Sequence, residues 1–202
     1  MKKYFFLFAM IAAGRVPAQS VITLAEYEAN NNPSTGQSGV GVNADVMAMG
    51  VTRNVVTYAS GTNYSATGFT TGLSPSTNEY FQVNITPKSG YKISVTHILL
   101  NFVRDANGPH SIQLRTSADN FGSAILIDGT ITTVSGGDGL DLSGIANLQN
   151  ITTTATFRIY GYQASSTSGV LSVYPYPGYT AHLLPTGGQA GIVLEGTVAT
   201  AP

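Results

Sequence analysis

From residue 80 onward, apolar and polar side chains alternate with a period of two, the spacing of strands with one buried face. "EYFQVNIT" places Phe81, Val83 and Ile85 on one side and Tyr80, Gln82 and Asn84 on the other. In "YKISVTHILLNFV" the inward set is Ile93 and Val95, then Ile98, Leu100 and Phe102. The parity changes across Thr96-His97, which predicts one extra residue there, a β-bulge. "HSIQLRT" turns Ile112 and Leu114 inward and Gln113 and Arg115 outward. "TTATFRIYGY" turns Ala155, Phe157 and Ile159 inward and Thr156, Arg158 and Tyr160 outward. "SAILIDGTITTV", "GVLSVYPY" and "GIVLEGTV" supply further strands. No helical period of useful length follows the first twenty residues. The pattern predicts an all-β protein, an antiparallel β-sandwich of the jelly-roll-like kind, with eight or more strands.

The first twenty residues differ in kind. Lys2 and Lys3 precede an apolar run from Tyr4 to Gly14, and Ala18-Gln19-Ser20 has the small-x-small form of a cleavage site. This is the pattern of a Sec-type signal peptide over residues 1–20, too short to span a bilayer. Residues 21–45 are polar and glycine-rich toward their end and are expected to form an N-terminal arm or loop. Residues 46–202 are expected to form the sandwich domain.

Composition narrows the function classes. Charged residues are 9% of the 202, and no cysteine is present. A neutral polar surface suits an extracellular protein, and a chain without thiols has no disulfide, thiolate metal site or cysteine nucleophile. After residues 1–20, six basic side chains stand against ten acidic ones, which argues against a nucleic-acid partner. No second apolar segment has the length of a transmembrane anchor. No G-x-S-x-G elbow or H-E-x-x-H pair occurs, and His97, His110 and His182 are far apart. A non-catalytic protein without a cofactor is the expectation.

Three clusters remain. In "RTSADNF", Arg115, Ser117 and Asp119 are read as a structural turn at a hairpin end, with Asp119 capping backbone amides and pairing with Arg115. "GGDGLD" has the G-G-x-G-x-D form of calcium-binding nonapeptides, with Asp138 and Asp141 as candidate ligands. A single copy is equally the sequence of a plain glycine-rich loop. Tyr174, Tyr176 and Tyr179 surround Pro175 and Pro177; they form either a glycan- or partner-binding platform or a stiffened loop folded onto the sandwich.

"GPHSIQLRTSADNF" (108–121), "LQNITTTATFRIYGYQA" (148–164) and "AGIVLEGTV" (190–198) together resemble the secreted β-sandwich modules of bacterial surface proteins. Those modules carry an R-S-S-x-D-G-F-like turn, an F-R-I-Y-G strand and a terminal G-x-V strand. Thr116 and Asn120 depart from that turn, where Ser and Gly are usual. The resemblance implies a jelly-roll-like fold and a cell-surface location, and it transfers no catalytic residue. Two functions follow as expectations. One is a structural or adhesive surface subunit that associates with itself or other surface proteins, with residues 21–45 adding a strand to a neighbour and building a fibre or sheath. The alternative is a carbohydrate-binding module, assisted by calcium.

Overall fold

The computed structural model describes residues 19–34, 40–129, 131, 137–184 and 188–202. Residues 1–18, and with them most of the expected leader, lie outside the described residues, as does Gly136. Among the described residues fourteen strands form three antiparallel sheets. The first sheet has the order β11 (Asp138–Asp141), β7 (Tyr91–Leu100), β14 (Ala190–Thr200), β1 (Ile22–Glu28), β2 (Val40–Val42). The second has the order β10 (Leu126–Asp128), β9 (Pro109–Thr116), β12 (Ala155–Ala164), β6 (Tyr80–Pro87), β3 (Val46–Asn54). The chain crosses between the two sheets from β1 to β3, β6 to β7, β7 to β9 and β12 to β14, giving the jelly-roll-like sandwich that the alternation predicts. A small third sheet, β4 (Thr57–Tyr58), β5 (Ser65–Thr67), β13 (Leu171–Val173) and β8 (Phe102–Arg104), adds Ala66, Phe102, Leu171 and Val173 to the same core.

The core follows from strand parity. Phe81, Val83, Ile85, Ile112, Leu114, Phe157 and Ile159 of the second sheet meet Leu24, Ile93, Val95, Ile98, Leu100, Ile192 and Leu194 of the first in one apolar cluster. Removing that area from water is the main stabilising term. Tyr27, fully buried on β1, donates its hydroxyl across the sandwich to the Asn84 carbonyl at 2.7 Å. The predicted bulge is present: Glu195 pairs with His97 and the next residue, Gly196, pairs with Val95, so Thr96 is the extra residue. "HILLNFV" is not one strand, however. The chain leaves the first sheet at Asn101, whose amide donates to Gly191, and Phe102 enters the third sheet.

The expectation of an arm over residues 21–45 is corrected. Ile22–Glu28 is an interior strand, paired with β14 on one side and β2 on the other. Leu24, Ala25, Glu26 and Tyr27 are each fully buried. A carboxylate inside a strand argues for a solvated segment, and here its burial is offset by hydrogen bonds from a distant loop.

Candidate functional site

The outer face of the first sheet is covered by the tyrosine loop. Tyr176 donates its amide to the Ala190 carbonyl, and its ring lies against Gly137. Its hydroxyl sits over Gly139. The chain then crosses the sheet to Glu26. Both carboxylate oxygens of Glu26 accept hydrogen bonds: from the Tyr179 hydroxyl at 2.8 Å, from the amides of His182 at 2.8 and 3.1 Å, from Leu183 at 2.7 Å and from Leu184 at 3.0 Å. Three consecutive amides converging on one carboxylate make an anion-binding concavity that the chain fills with its own side chain. Burial, then the neighbouring Glu26 carboxylate, pushes the Tyr179 hydroxyl pKa well up, so it stays a donor. At the far edge a Cβ on Gly41 would lie within 2.7 Å of three Leu183 atoms, so only glycine admits the strap there. The three tyrosines of the sequence reading are therefore not one platform. Tyr176 and Tyr179 hold the strap to the sheet, and Tyr174 is 39% exposed beside it.

Asp138 and Asp141 are likewise not brought together. They lie three residues apart on β11, where alternation sends them to opposite faces. Asp141 accepts the Ser143 amide at 2.8 Å, and the Ser143 bonds hold its pKa below the ordinary value. Asp138 faces inward; burial first, then Asp128, raises its pKa. No group of three or more His, Asp or Glu among the described residues could hold a metal ion.

The turn behaves as expected in one respect and not in another. Asp119 accepts the amides of Gly122 at 3.2 Å and Ser123 at 2.8 Å. Burial raises its pKa, but these bonds together outweigh it and hold the value below the usual one. Ser117 accepts the Thr156 amide at 3.0 Å, tying the turn to β12. Arg115, however, does not pair with Asp119. It donates to the Gln113 side chain at 2.9 and 3.2 Å and to the Phe121 carbonyl at 3.2 Å. Asn120 and Phe121 both have positive φ, 57° and 60°, and this left-handed pair carries the Phe121 ring back toward the sheet.

That ring borders the outer face of the second sheet, where the remaining chemistry gathers. Antiparallel register sets outward residues in rows. One row is Asn54, Tyr80, Tyr160, Gln113 and Ile127. The next is Thr52, Gln82, Arg158 and Arg115. Arg158 donates its Nε to Gln82 at 2.9 Å. Its guanidinium lies 3.7 Å from the Phe121 ring centroid and 4.5 Å from that of Tyr80. Arg115 lies 5.4 Å from the Tyr160 centroid. Tyr80 and Tyr160 point outward, as parity predicts, yet are only 8% and 3% exposed. They pack edge-to-face on each other at 5.2 Å and lie against the two guanidinium groups. The face is thus a planar, donor-rich layer on an aromatic floor.

Over the next two rows, Met47, Ala48, Met49, Asn84, Thr86 and Thr154 line an open groove of about 320 Å³. Met47 and Met49 are 50% and 60% exposed, and the Thr86 and Thr154 hydroxyls bond at 2.8 Å. None of the outward positions on the five strands is acidic. Arg53 and Arg104 are engaged differently. Arg53 donates to the Ser65 and Pro33 carbonyls and to Asn32, and Arg104 to the carbonyls of Ile131, Asp105 and Ala106. The sequence reading placed Arg115 and Arg158 outward. It did not find them as a pair, because β9 and β12 are joined only by register.

No family model and no curated protein matches the chain. Among solved structures, a family 29 carbohydrate binding module from Piromyces equi, CBM29_1, is similar with a TM-score of 0.40 and 9% identity, over 87% of this chain and 91% of that one. A likeness at that level says nothing about this chain's ligand. No helix among the described residues is long and apolar enough to cross a membrane.

Proposed function

We propose that the chain is a non-catalytic, extracellular glycan-binding module whose ligand lies along the outer face of the second sheet. The observation that carries this reading is Arg158. Its Nε and its flat surface are fixed by Gln82, Phe121 and Tyr80, while its two terminal nitrogens have no hydrogen-bond partner among the described residues. Donors held in place and left unengaged are the groups that a ligand completes. A sugar chain suits the rest of the face. Its hydroxyls match the neutral amides and hydroxyls of Gln82, Gln113, Asn84 and Thr86, and its C–H surfaces suit Phe121 and the methionine groove. Rows on one strand repeat every two residues, about 7 Å, so a linear polymer meets successive rows.

Affinity electrophoresis against a panel of soluble polysaccharides tests the reading. The protein is retarded by at least one of them, and Arg158→Gln, at unchanged melting temperature, loses most of that retardation. Retardation by none, or retardation unaffected by Arg158→Gln and Arg115→Gln, removes the reading. No reducing ends appear on prolonged incubation if the module is non-catalytic.

A second reading is a surface subunit that assembles with its own copies. It is favoured by β10, a three-residue edge strand whose Ile127 is 64% exposed. Since β1 is already paired on both sides, strand addition would use β10 and not residues 21–45. Filaments in negative stain that vanish in Ile127→Lys support it, and a concentration-independent monomer in sedimentation removes it.

A further inference from the structure

Resting on the glycan-binding reading, we propose that the sugar chain is an acidic one, with a carboxylate or sulfate group seated on the Arg115–Arg158 pair. Arg158 and Arg115 are direct cross-strand partners on the same face of β12 and β9. Side chains so placed have Cβ atoms about 5 Å apart, and like charges in that position repel. Neither guanidinium has a carboxylate partner among the described residues. Asp119, the acid nearest in sequence, is turned into its own loop to accept Gly122 and Ser123.

The chain nonetheless holds both cations in position. Gln82 accepts from one and Gln113 from the other, and each therefore donates nothing to the guanidinium and neutralises nothing. Phe121 and Tyr80 lie against Arg158, whose two terminal nitrogens stay unengaged among the described residues, and Tyr160 lies near Arg115, whose three nitrogens each give one bond, to Gln113 or to the Phe121 carbonyl, and keep further N–H groups to donate. A repulsive pair that is propped on three rings and two amides, on a face without acids, is organised for an anion. The planar carboxylate and the tetrahedral sulfate share the chemistry needed: several oxygens able to accept parallel N–H bonds from two guanidinium groups. A neutral hydroxyl leaves the repulsion uncompensated.

The test uses calorimetry on matched polymers. A uronic-acid polysaccharide is compared with the same material after carboxyl reduction, and a sulfated galactan with its desulfated form. The acidic member of at least one pair binds about tenfold or more tightly than its neutral counterpart, the loss expected for charge-assisted hydrogen bonds. That difference shrinks in Arg158→Gln and in Arg115→Gln, and the melting temperatures show that both variants are folded. Which pair responds tells carboxylate from sulfate. Equal binding to both members overturns the acidic-ligand inference while leaving the glycan reading intact. Binding to no polysaccharide overturns both. Equally tight binding to polyglutamate, a polyanion without sugar rings, overturns the inference by reducing the face to a general charge site.

Discussion

On the outer face of the first sheet, Glu26 receives three backbone amides and a tyrosine hydroxyl, and a loop lies over it. On the outer face of the second, Arg158 keeps two nitrogens unengaged and no acid stands on the surrounding rows. Both faces carry a charge at a strand-fixed position beside aromatic rings. The difference is whether the chain itself satisfies the charge. A charge that the fold satisfies completely is part of its stability; a charge that it fixes and leaves unsatisfied is available to a ligand. The tyrosine-rich loop, the more obvious candidate in the sequence, belongs to the first kind.

The largest effect should come from Glu26→Ala. It strands three amides and a hydroxyl that were bonded to a charge, and stability falls by about 3 kcal/mol or more. In a chain of this size that lowers the melting midpoint by about 6–12 °C, and a calorimetric scan with no shift would break the comparison at its sealed side. Gly41→Val should act at the other end of the same strap. The new side chain meets the Leu183 backbone and costs about 1–3 kcal/mol, read from a urea unfolding curve. Glycan affinity in that variant stays unchanged if the two faces are independent.

Phe121→Ala sharpens the open side. It removes the ring that lies against the Arg158 guanidinium, an interaction worth about 0.5–1 kcal/mol, and ligand affinity falls by about two- to fivefold with little change in stability. Titration calorimetry distinguishes this from a stability effect. The smallest change is expected at the edge of the sandwich. The Asp138 carboxyl has a raised pKa in the folded protein, chiefly through burial and then through Asp128. Folding therefore favours its protonated form, and that contribution is full at acid pH and is lost as pH rises through the raised value. Asp138→Asn should gain about 1–2 °C in melting temperature at pH 7 and nothing near pH 3. A gain of the same size at both pH values would remove the electrostatic account.

Much of the fold was legible because strand parity is a local property. Val83 and Ile85 alternate with Gln82 and Asn84 and become core and surface, and the parity change at Thr96-His97 marks the bulge in the structure. The outward sense of Arg115 and Arg158 was legible for the same reason. The first strand was not. Glu26 reads as a solvated residue, and only amides 156 to 158 positions away make its burial tolerable. The Asp119 cap was readable from turn chemistry within four residues. The partner of Arg115 was not, since the guanidinium follows the sheet surface to Gln113 and the Phe121 carbonyl.

By itself, then, the sequence determined the class of architecture, the facing of the alternating strands and the turn built on Asp119, each a matter of spacing along a few residues. The tertiary structure alone decided which face is closed and which is open. It also decided that two arginines 43 positions apart stand side by side. The physical reason is that alternation tells only which way a side chain points. What it meets is set by strand register and by which loop lies over it, and both are fixed by contacts between distant parts of the chain.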